Sequence, residues 1–98
     1  ADAILARETE IQRVLQELPA TFGAALIYLM DWVEISEESL AENALISTRM
    51  VQRMRNNPQY PKSIDSVVAI CIGMHLPPEL SKALIERSGF TLRSPFAL

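Results

Sequence analysis

The chain is predicted to fold as an all-helical domain, and three observations lead there. Apolar residues recur at three- and four-residue spacing along most of its length, while long alternating β-branched runs are absent. Thr21, Ser36, Ser47, Ser63 and Pro77 each stand just before such an apolar-periodic stretch, as residues do at helix starts. Only 3 glycines occur, aromatics are few, and 49% of the 98 residues are apolar, enough for one core and not for two.

The first helix is predicted over Asp2 to Leu18 and is ended by Pro19. Ile4, Ile11 and Leu18 recur every seven residues, with Val14 between them and Arg7 interrupting the same seam. A lone helix of that length is marginal in water, so its seam must be covered, by the rest of the domain or by a second copy. A homodimer formed partly through residues 2–18, with two-fold symmetry, is the assembly expected. Thr21 to Val33 is the next helix. Phe22, Ala25, Leu26, Leu29 and Val33 make a wide apolar face that Ile27, Met30 and Trp32 broaden, so Trp32 and Tyr28 are read as core and not as ligand contacts.

Ser36 to Asn57 reads as two short helices joined by a tight turn. Glu37 and Glu38 fill the first turn after the Ser36 cap, where the helix dipole favours acid, and Leu40, Ala41 and Ala44 share one face. Ser47 caps the second helix, Thr48 to Asn56, whose inner face is Val51 and Met54. Arg49, Gln52, Arg53 and Asn56 follow the i, i+3, i+4, i+7 rule and so form one exposed stripe. Arg can fork onto guanine and Gln onto adenine in the major groove, and Ser and Asn can hold phosphates.

The stretch Leu40-Ala41-Glu42-Asn43-Ala44-Leu45-Ile46-Ser47 resembles the LAxxxGxS core of the phage repressor and Cro-like (XRE) helix-turn-helix family. The similarity runs from Thr21 to about Ser88. It implies a five-helix lambda-repressor-like domain, here with an extra N-terminal helix, whose third helix enters the major groove of double-stranded DNA. By position, the resemblance puts Thr48, Arg49, Gln52 and Arg53 at bases, and Ser47 and Asn56 at phosphates. One residue departs from the pattern. Leu45 stands where the family has glycine, so either the turn is built differently or the strain of a positive φ is offset by burying Leu45.

Asn57 to Lys62 is a loop, set by Pro58 and Pro61, with Tyr60 packed beneath it. Ser63 caps a helix running to about Met74, with Ile64, Val67, Val68, Cys71 and Ile72 predicted on its inner face. Pro77 and Pro78 start the last helix, which runs to Ser88 and turns Leu80, Ala83 and Leu84 inward. Gly89 with Phe90 reads as a C-cap whose hydrophobic residue folds back. The chain thus divides into an N-terminal helix (1–19), the helix-turn-helix domain (20–90) and a tail (91–98).

The formal charge is −3. Residues 1–32 hold Arg7 and Arg13 against five acids, the remainder is balanced, and Arg49, Arg53, Arg55 and Lys62 cluster on and after the proposed reading helix. A local basic patch counts for more at a DNA interface than the whole-chain sum. No apolar run approaches a membrane span, the charged start is unlike a signal peptide, and the single cysteine, Cys71, offers no intrachain disulfide; these features point to the cytoplasm. Cys71 and His75 are four apart, but two ligands do not make a zinc site, and neither a catalytic constellation nor a Gly-rich phosphate loop is found, so no enzyme, cofactor or metal is expected. The function expected is that of a sequence-specific DNA-binding transcriptional regulator of repressor type. The rival is a protein-interaction or adaptor module of a larger multidomain bacterial protein. Tyr60-Pro61-Lys62 and Gly89-Phe90-Thr91-Leu92 resemble features of such attached modules, and the missing initiator Met suggests a piece of a longer chain.

Overall fold

The computed structural model describes residues 2–57 and 59–89, with only the backbone described for 2–7. The helices are α1 (Asp2–Glu17), α2 (Phe22–Val33), α3 (Glu37–Ala44), α4 (Thr48–Asn56), α5 (Ile64–Gly73) and α6 (Pro78–Arg87). No strand occurs among the described residues. The capping serines act as such. The Oγ atoms of Ser36, Ser47 and Ser63 accept the N–H groups of Ser39, Met50 and Ser66, each at 3.1 Å, and so satisfy donors that a helix start leaves open. Thr21 precedes α2 in the same extended conformation but makes no side-chain capping bond.

α2 packs on α4 and α6, α3 on α4 and α5, α5 on α6, and α1 on α6. Between them lies one core in which Leu26, Leu29, Leu40, Met54, Ile70, Leu80 and Leu84 are the largest fully buried side chains. Burying side chains of this kind contributes roughly 1.5–3 kcal/mol each before entropy is counted. Ile11, Val14 and Leu18 join this core, so the described part of the α1 seam is covered by its own chain; Ile4 and Arg7 have side chains outside the described residues. Leu84 and Ile85 on α6 are buried as well. Polar contacts add to the α1 attachment. Trp32 Nε1 donates to Glu10 and the Tyr28 hydroxyl to Glu17, while Arg13 pairs with both acids; its hydrogen bond to Glu17, then the charge of that group, raises its pKa.

On α5 the buried residues are Val67, Ile70, Cys71 and Gly73, followed by Met74, while Ile72 is 65% exposed. The expected inner face therefore included one residue that points outward and missed Ile70. Val68 and Ile64 are half-buried. Tyr60 packs against the core, as expected. Phe90, the tail 91–98 and Pro58 lie outside the described residues.

Two glycines bring helices together. A Cβ on Gly23 would stand 2.5 Å from the carbonyl oxygen of Arg55, and one on Gly73 would stand 3.2 Å from the backbone nitrogen of Ala44. α2 and α4 on one hand, and α3 and α5 on the other, therefore meet backbone to backbone. Asn43 strengthens the second crossing by donating through Nδ2 to the Gly73 carbonyl at 3.1 Å.

Candidate nucleic-acid interface

The positive φ is carried elsewhere, by Glu34 (φ 59°), Leu45 (φ 59°), His75 (φ 54°) and Gly89 (φ 97°). The first three end α2, α3 and the α5 segment in one hydrogen-bonding pattern. The N–H of the left-handed residue reaches back three residues, and the next N–H reaches back five: Leu45 to Glu42 and Ile46 to Ala41, Glu34 to Asp31 and Ile35 to Met30, His75 to Ile72 and Leu76 to Cys71. This is the Schellman arrangement, and the apolar residue after each left-handed one, Ile35, Ile46 or Leu76, packs against the core. The turn between α3 and α4 is thus built as a glycine turn would be, with a leucine in the glycine's place. Leu45 is 91% exposed, so burial does not offset its strain.

α4 follows this turn at once, capped by Ser47. Three of its nine residues are arginine and none is acidic. It buries Val51 and Met54 and leaves Arg49, Gln52, Arg53 and Asn56 exposed together. Ser47 is exposed and Thr48 half-buried. All six residues expected to meet DNA therefore sit on α4 or at its cap, four of them as the expected stripe. Neither Arg49 nor Arg53 is paired with a carboxylate among the described residues.

Glu37 is the neighbour that sequence reading missed. It lies in the first turn of α3, where the helix dipole favours acid, and its carboxylate also reaches α4. Oε1 accepts from Gln52 Nε2 at 3.3 Å, and Oε2 pairs with Arg55 Nη1. Arg55 is thereby tied down beside the stripe, with its Nε buried and unpartnered. Gln52 must leave Glu37 to present both its amide groups to a base. An 18-residue separation between Glu37 and Arg55 leaves no periodic signal by which the pair could have been found.

Cys71 is buried, and burial pushes its thiol up to about 11 from 9.0, the behaviour of a core residue and not of an activated nucleophile. His75 lies beyond α5 in the left-handed conformation, off the helix face that carries Cys71. Among the described residues no group of three or more His, Cys, Asp or Glu could hold a metal, and no helix is long and apolar enough to cross a membrane. Compared with known proteins, the chain matches no family model, and no curated protein or solved structure is significantly similar to it.

Proposed function

We propose that the chain is a sequence-specific DNA-binding domain of a repressor-type transcriptional regulator. In this reading α3 and α4 are its helix-turn-helix, α2 to α6 make the five-helix lambda-repressor-like unit, and α1 is the added helix. The observation that carries it is the outward face of α4: Arg49, Gln52, Arg53 and Asn56 exposed side by side on a helix with no acid. Arg49 and Arg53 supply bidentate donors for guanine, Gln52 suits adenine, and Ser47 and Asn56 at the two ends suit flanking phosphates. Such a regulator works in the cytoplasm and binds as a homodimer on paired half-sites. With Ile11, Val14 and Leu18 buried inside one chain, that pairing uses a surface other than this part of the α1 seam.

The test is a fluorescence-anisotropy titration against pooled random duplexes at two salt concentrations. The parent is expected to bind with a strong salt dependence. Arg49→Ala and Arg53→Ala are each expected to lose about 1–3 kcal/mol of binding while melting as the parent does, since neither side chain packs in the core. Equal binding by parent and variants would refute the assigned face.

The adaptor reading keeps support from a separate observation. Among the described residues Leu45 and Ile72 are the large apolar side chains most exposed to solvent, and each neighbours in sequence one of the two residues, Ala44 and Gly73, that meet where α3 crosses α5. Isolated exposed apolar residues are ordinary, but a pair at one crossing, one of them in a strained conformation, suits a protein partner. A parent that binds no duplex even at low salt would transfer the proposal to that reading.

A further inference from the structure

A groove of about 550 Å³ opens where the start of α2, the end of α4, the 57–63 loop and the end of α6 converge. Its size is that of a small-ligand site. Its described lining includes Arg55, Lys62 and Arg87, and no aspartate or glutamate, in a chain with more acids than bases. Arg55 is neutralised by Glu37, whereas among the described residues no carboxylate pairs with Lys62 or Arg87. Lys62 Nζ donates to the Tyr60 carbonyl at 3.2 Å and stands 5.0 Å from the centre of the Phe22 ring. Arg87 donates through Nε to the Pro19 carbonyl at 2.6 Å and through Nη1 to the Ala83 carbonyl at 3.1 Å. These neutral acceptors fix both cations in place without cancelling their charge, and both side chains are half-buried. An anion entering the groove would meet two cations already held in position.

The start of α2 faces the same groove through Thr21, Phe22, Gly23 and Ala24. Thr21 makes no capping bond and the first turn holds no acid, so among the described residues no side chain caps the helix's opening N–H groups or offsets its dipole. Two cations held by neutral carbonyls and a donor-rich helix start match the charge and hydrogen-bonding needs of a phosphate group. We propose that this groove binds a phosphate group. The inference does not depend on the DNA-binding reading, because the groove lies at the far end of α4 and shares only Asn56 with the reading stripe.

The test uses the full chain and inorganic phosphate and pyrophosphate as probes, against chloride at equal ionic strength. The expected result is saturable movement of the Phe22, Gly23 and Ala24 amide resonances, with pyrophosphate the tighter probe. Lys62→Gln is expected to weaken binding at least fivefold. Ala24→Glu should abolish it while melting at or above the parent temperature, because a first-turn acid suits the helix dipole but repels the anion; the melting curve shows that lost binding is not lost folding. Phosphate effects no larger than those of chloride would overturn the proposal, as would unchanged binding in both variants. Adding a short duplex distinguishes the source of the phosphate: displaced pyrophosphate assigns the groove to a nucleic-acid backbone, and retained pyrophosphate to a free phosphorylated ligand.

Discussion

Leu45→Gly is expected to stabilise the domain. Leu45 sits at φ 59°, ψ 41°, where a Cβ collides with the carbonyl that follows and costs an L-residue roughly 1–2 kcal/mol. Its side chain is 91% exposed, so removal forfeits almost no packing. The backbone bonds of the turn, Leu45 N–H to Glu42 at 3.3 Å and Ile46 N–H to Ala41 at 3.0 Å, use no side-chain atom and survive the change. Against the relieved strain stands the larger unfolded-state entropy of glycine, about 0.5–1 kcal/mol. The net gain is about 0.5–1 kcal/mol, or several degrees in Tm for a domain of this size. Urea unfolding measures it directly, as a rise of a few tenths molar in the midpoint at unchanged slope. Glu34 and His75 occupy the same conformation with exposed side chains, so Glu34→Gly and His75→Gly should each gain similarly. A loss above about 0.5 kcal/mol for Leu45→Gly would refute the reasoning, because such a loss requires the leucine to be packed.

Further outcomes follow from the close approaches and the charged groups. Gly23→Ala should cost about 1–3 kcal/mol in denaturant unfolding, because its Cβ would meet backbone, the Arg55 carbonyl at 2.5 Å, and not a side chain that can swing away. Glu37→Gln should raise duplex affinity, since it removes a negative charge beside α4 and releases Arg55; an unchanged or weaker affinity in an anisotropy titration would count against α4 as the reading helix. The Cys71 thiol should resist alkylation at pH 8 in the native protein and react fully in urea, a contrast that a thiol assay reads. Its folded pKa is raised from 9.0 to about 11, so the native state holds this proton more tightly than the unfolded one; the resulting stability is complete below pH 9 and is lost as pH rises from 9 toward 11.

Much of this architecture was legible because its signals are local. Ser36, Ser47 and Ser63 mark helix starts through bonds to residues three along, and α4 shows its buried pair, Val51 and Met54, through spacing alone. α5 was harder. Its run Val67-Val68-Ala69-Ile70-Cys71-Ile72 is apolar all round, so no period separates Ile70, which is buried, from Ile72, which is not. The α1 seam showed a covered face without showing what covers it, since docking on α6 and pairing with a second copy demand the same spacing. Features assembled from distant segments left no trace in the sequence. The Glu37 pairing with Arg55 and the groove joining Phe22, Lys62 and Arg87 arise only when the helices meet.

The glycines illustrate how tertiary demands override local ones. The chain has 3 glycines, and of the four left-handed positions among the described residues only one, Gly89, is a glycine. Gly23 and Gly73 serve helix crossings, and at Gly23 any side chain would meet backbone at a distance that something must shift to relieve. Glu34 and His75 fill their turns with polar groups that suit solvent, so strain is their only cost. Leu45 is different, because it carries both the strain and an exposed apolar side chain, and no contact within the described chain repays either. Local rules broken without compensation tend to mark sites of function. By that reasoning the α3–α4 turn, beside the arginine stripe that follows it, belongs to the surface where the proposed function is to be tested. The proposed DNA recognition through α4 would account for Arg49 and Arg53 but not for Leu45, whose exposed side chain suits an apolar neighbour, so a regulator holding DNA with α4 and a second protein at the turn would use both.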